Sequence, residues 1–103
     1  MCESPILKTA ASIAISHHEK WDGTGYPLGL SGTSIPIEGR ITAVADVFDA
    51  LSSKRPYKDP LPLDRCFEIL EEGRSTHFDP RVLNAFFART DEIVRVAYDL
   101  ADE

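Results

Sequence analysis

The chain has 103 residues, 43% hydrophobic and 27% charged, with a formal net charge of −6. That length allows one small domain, and that balance is globular rather than disordered. An acidic chain is no general nucleic-acid coat, which needs a basic surface, but a small phosphate ligand held by a local basic pair or a metal stays open.

Ser4-Pro5 predicts a helix start, a cap residue followed by proline at the first helical position. From there to His18 the apolar residues Ile6, Leu7, Ala10, Ala11, Ile13, Ala14 and Ile15 cover about half the helix, with Lys8, Thr9, Ser12 and Ser16 opposite. His17 and His18 fall in line with the apolar residues, so both extend the face expected to be buried. Residues 19–37 then lose all periodicity. Gly23, Gly25, Pro27, Gly29, Gly32 and Pro36 make this stretch a long loop, ordered if Trp21, Tyr26, Leu28 and Leu30 pack down. A second helix is expected from about Glu38 to Ser53. It is apolar nearly all round, the mark of a central helix, and it carries Asp46 on a face of small side chains.

Arg55-Pro56-Tyr57-Lys58-Asp59-Pro60 reads as a connector stopped by proline on both sides. A third helix is expected from Pro62 to about Arg74, with Cys66, Phe67 and Leu70 inward and Glu71-Glu72 outward. Asp79-Pro80 repeats the cap-plus-proline start for a fourth helix. Thr90 opens a fifth, with Ile93, Val96, Ala97, Leu100 and Ala101 at helical spacing. No strand stands out, so the fold class is all-α. No apolar run approaches the roughly 20 residues that span a bilayer, and no signal-peptide order opens the chain. The cysteines, Cys2 and Cys66, have no CxxC spacing, which fits a reduced, cytoplasmic protein.

Adjacent histidines at a helix end point about 100° apart. They cannot chelate one ion as an i, i+4 pair does, but each can serve a different ion of a close cluster. The alternative is capping or surface charge. A carboxylate at Asp46, if buried, must be paired, metal-bound or seated at a seam. Histidine with carboxylate suits iron, manganese or zinc. Arg55 and Lys58 are either a solvated connector or a phosphate clamp, the arginine gripping bidentately. Glu19 is either a support to the histidines or solvated, Asp22 belongs to the same loop, and Asp49 is expected to hold neighbouring backbone. His77, before a helix start, is expected to be structural, its ring bonded to the turn.

The run His-His-Glu-Lys-Trp-Asp-Gly-Thr-Gly-Tyr-Pro at 17–27 resembles the signature of the HD-GYP family. Gly29-Leu30, Ile35-Pro36, Arg40-Ile41, the segment from Ala43 to Leu51, Arg55-Pro56-Tyr57-Lys58 and His77-Phe78-Asp79-Pro80 are similar to the segments that follow in that family. Such an ordered set is far more specific than a lone Gly-Tyr-Pro. The resemblance implies a helical bundle of the HD type that hydrolyses cyclic di-GMP to pGpG and GMP with two or three iron or manganese ions. It implies His17, His18 and Asp46 as metal ligands, Tyr26, Arg55 and Lys58 at the substrate, and a Tyr26 loop able to dock GGDEF-domain proteins.

The eponymous His-Asp pair of that family precedes the paired histidines, and no His-Asp dipeptide occurs here. Three candidate ligands cannot complete two or three ions that each take about four to six donors. Residues 1–103 are therefore expected to be the C-terminal part of an HD-GYP domain with its N-terminal helices missing, inactive alone and holding few or no metal ions. The competing class is a non-catalytic module that binds cyclic di-GMP or a GGDEF partner. Uncovered apolar helix faces are expected to make the chain self-associate.

Overall fold

The computed structural model describes residues 4–53 and 59–101, with side chains to residue 96. Five helices follow one another: α1 (Pro5–Ser16), α2 (Ile37–Ser52), α3 (Leu63–Glu72), α4 (Pro80–Phe87) and α5 (Thr90–Ala101), with one 3₁₀ turn at Gly32–Ser34. Among the described residues there is no strand, only a single bridge between Arg74 and Phe78. The all-α expectation holds. Arg55 and Lys58, expected at the substrate, and Cys2 lie outside the described residues.

The helix starts follow local chemistry. The Asp79 carboxylate accepts from the Arg81 amide and caps α4, with Pro80 at its first position. Pro5 opens α1 in the same way, although the Ser4 hydroxyl makes no capping bond. Helix α2 is the hub, touching α1, α3 and α4. Ala43, Val44 and Phe48 pack on Cys66 and Leu70 of α3, Leu83 of α4 and Phe78. Phe48 stacks on Phe67 at 5.8 Å and meets Phe86 edge-on at 5.4 Å, geometries that aromatic quadrupoles favour. The Cys66 thiol is fully buried, 3.7 Å from the Leu61 carbonyl.

Two expectations fail on the other side of α2. The helix is central in connectivity but not buried all round: Gly39, Ala43, Val44 and Phe48 are buried, whereas Ile41, Ala45, Asp46 and Ala50 are exposed. Helix α1 meets α2 with the face read as polar. Ser16 is its one buried residue, and a side chain at Gly39 would collide with it. Small residues at the crossing let the backbones approach, and the Ser16 hydroxyl is satisfied by donating to the Ser12 carbonyl at 2.6 Å. The apolar stripe is thereby turned outward, leaving Ile6, Leu7 and Ile15 exposed.

Candidate functional site

The helix α1 ends at Ser16, and the chain turns at once into the loop that carries the site. The His17 amide donates to the Ile13 carbonyl at 3.0 Å. The His17 ring does the same: Nδ1 lies 2.8 Å from that oxygen. A carbonyl only accepts, so this bond puts the proton on Nδ1 and leaves the Nε2 lone pair of the neutral ring pointing away. Histidines that bind metals are commonly oriented in this way. His18 is exposed, not buried as its place on the apolar stripe implied. Its ring lies 3.9 Å from that of His17 and is stacked at 4.8 Å and 18° on Tyr26.

Tyr26 reaches His18 because the loop folds back on the histidines. The Tyr26 amide donates to the His18 carbonyl. Gly25 lies so close to residues 18–20 that any Cβ would collide with the His18 carbonyl and the Lys20 amide. Apolar packing orders the loop only in part: Trp21 and Leu30 are half-buried, whereas Tyr26 is 60% and Leu28 69% exposed. Polar contacts complete it. Glu19, expected beside the histidines or in solvent, is buried and accepts from the amides of Leu28 and Leu30 at 2.9 and 3.0 Å.

The outer part of the loop leans on the turn at residues 73–78. Trp21 and Asp22 donate their amides to the carbonyls of His77 and Thr76. The Asp22 carboxylate is held below its ordinary value of 3.8 by the Thr24 hydroxyl and amide. At the loop's end Arg40 donates Nε to the Ile35 carbonyl and pairs with the buried Asp79 at 2.8 Å. His77 is structural, although its backbone carbonyl and its stacking on Phe78 hold it, rather than a ring-to-backbone bond. Asp49 accepts from the Ser53 hydroxyl at 2.8 Å.

Asp46 is exposed on α2 rather than buried among small side chains. Among the described residues, no three His, Cys, Asp or Glu side chains come together to hold an ion. The histidines have the right chemistry for iron or manganese, but the donor set among the described residues is not complete. The apolar groove of about 570 Å³ between α2, α4 and α5, lined by Ile41, Val44, Val82, Phe86 and Ile93, includes none of the expected site residues. Sequence reasoning expects Glu19 as a support to the histidines or in solvent and does not foresee its loop partners; it gives Arg40 no supporting role at all. Their partners are mostly backbone groups, which leave no side-chain signal.

Comparison with known proteins gives the family. Residues 1–82 match the family model described as HD domain, and the chain belongs to that family. It is 49% identical over 97% of its length to a cyclic di-GMP phosphodiesterase of Thermotoga maritima. It is 46% identical over 95% of its length to a probable cyclic di-GMP phosphodiesterase of Vibrio cholerae, and 46% over 94% to a 3'3'-cGAMP-specific phosphodiesterase of the same organism. The chain spans 27%, 22% and 19% of those relatives, respectively. No helix among the described residues is long and apolar enough to cross a membrane.

Proposed function

We propose that residues 1–103 are the C-terminal part of an HD-GYP domain, forming one wall of a metal-dependent site that hydrolyses cyclic di-GMP to linear pGpG and then GMP. One observation carries the reading: an imidazole whose Nδ1–H is engaged by Ile13 stands beside a second imidazole stacked on Tyr26, in a chain this similar to phosphodiesterases. In this reading His17, His18 and Asp46 are ligands of iron or manganese, Tyr26 faces the nucleotide, and Arg55 and Lys58 grip its phosphates. Glu19, Asp22 and Asp49 hold the surrounding backbone.

Iron or manganese would supply Lewis-acid polarisation of a phosphoryl oxygen. Two imidazoles and one carboxylate fall short of the about four to six donors of a single ion, so the chain alone is expected to be inactive. Because similar relatives are named for either cyclic di-GMP or 3'3'-cGAMP, the substrate class is a cyclic dinucleotide, with cyclic di-GMP the proposed member. A cytoplasmic location goes with this reading.

The second reading is a non-catalytic module that binds cyclic di-GMP or a GGDEF domain through the Tyr26 loop. The exposure of Tyr26 and Leu28 on that loop, open to a partner, favours it. Metal analysis with a hydrolysis assay on both dinucleotides separates the two. Turnover by the 103-residue chain would overturn the claim of an incomplete site. Grafted in place of the matching segment of the Thermotoga maritima relative, the chain should restore metal content and hydrolysis. Asp46→Ala in that graft should abolish both; unchanged metal content would remove Asp46 from the ligand set. The exposed stripe of Ile6, Leu7 and Ile15 is proposed to drive self-association. Light scattering that finds a clean monomer would refute it.

A further inference from the structure

We infer that Glu19 is a positioning residue: its buried carboxylate closes the site loop and thereby sets the Tyr26 ring on the His18 imidazole. The functional consequence rests on the proposed reading of His18 as a ligand, but the geometry stands apart from it.

Glu19 is 2% exposed, and a buried carboxylate is unfavourable unless its oxygens find partners. Compensation comes from the loop itself. One carboxylate oxygen accepts from Leu28 and the other from Leu30, nine and eleven positions further along the chain. Gly29, at φ +69 in the left-handed region, turns the two amides toward one point. Hydrogen bonds to an ionised acceptor are among the strong ones. With both oxygens engaged in this way, Glu19 serves the loop rather than the histidines directly.

The clasp acts on the site through the backbone it closes. Tyr26 and Pro27 lie between Glu19 and Leu28, and the Tyr26 amide is anchored on the carbonyl of His18, the residue just before Glu19. The loop is thus pinned at both sides of the Tyr26 ring. That ring stacks on His18 at 4.8 Å and 18° although it is mostly exposed, so apolar burial does not place it. The Glu19 carboxylate holds the Leu28 and Leu30 amides, and the other backbone bond of the segment from 26 to 30 is that of the Tyr26 amide.

Nuclear magnetic resonance on the full chain tests this. Tyr26→Ala gives the ring shifts of an unstacked His18. Glu19→Ala should move His18 to those values and speed amide exchange at Leu28 and Leu30 about tenfold or more, while Leu70 and Leu83 in the core change less than about twofold. Glu19→Gln keeps one accepting oxygen and should fall between, and it carries the test if Glu19→Ala does not fold. Asp22→Ala, at the exposed end of the same loop, should leave the stack intact. A wild-type His18 shift in both Glu19 variants, or equal loosening of Leu28 and Leu83, overturns the inference. His17→Ala and His18→Ala should lower the metal content of the Thermotoga maritima graft if these residues are ligands. If they do not, while the Glu19 effects appear, the metal reading fails and the positioning role stands.

Discussion

The two sides of α2 are built by different forces. On one side Ala43, Val44 and Phe48 meet α3 and α4 in a dry core that includes the fully buried Leu70 and Leu83. On the other, α1 touches α2 through serine and glycine, and the site loop is fastened by amides, carbonyls, one carboxylate and one ion pair. Apolar packing tolerates small adjustments of each group, whereas a hydrogen-bonded loop depends on a few directional contacts. The core therefore supplies stability and the loop supplies placement.

The largest test of that contrast is truncation on each side. Leu83→Ala should cost about 2–5 kcal/mol in urea denaturation, and Leu7→Ala on the open stripe less than about 0.5 kcal/mol. Equal costs would break the comparison. Next comes the ion pair that ties the loop's end to α4. Asp79→Asn leaves the largely buried Arg40 without its counter-charge and should cost about 3 kcal/mol, against less than about 1 kcal/mol for Arg65→Ala, whose partners Glu68 and Glu72 are solvent-exposed.

The smallest effect is expected at the seam between loop and turn. Burial, and after it the Lys20 cation, hold His77 below its ordinary 6.5, with Asp22 pulling the other way. Above pH 6.5 the ring is neutral in folded and unfolded chains alike. As the pH falls below 6.5 the unfolded chain takes up the proton first, so stability declines until the lower folded-state pKa is passed. Melting temperatures from about pH 7.5 down to pH 5 should show this slope, and His77→Gln should flatten it.

How much was legible in the sequence follows the same division. The spans of α3 and α4 were readable because caps, prolines and apolar spacing are local signals. Helix α1 was readable as a helix, but its outward stripe was not. Periodicity says which face is apolar and nothing about what covers it, and the Ser16–Gly39 approach that turns the helix involves two residues with little hydropathic signal. The exposure of Asp46 is hidden for the same reason: small neighbours along α2 do not say which of them another helix covers, and Ala43 is buried whereas Asp46 and Ala50 are not. The paired histidines and Tyr26 were legible from their motif. The burial of Glu19 was not, because its partners are main-chain amides nine and eleven residues on. The one available hint was a carboxylate directly after the histidines, in a loop with too few inward apolar groups to hold itself.

The turn at residues 73–78 receives Trp21 and Asp22 on the carbonyls of His77 and Thr76, so the loop reads the path of that turn and not the side chains on it. Substitutions at Thr76 should pass with little effect on the histidines. Inserting or deleting a single residue between Gly73 and Phe78 would shift both acceptors at once. A length change far along the chain, touching no candidate ligand, is the kind of mutation that would displace this loop.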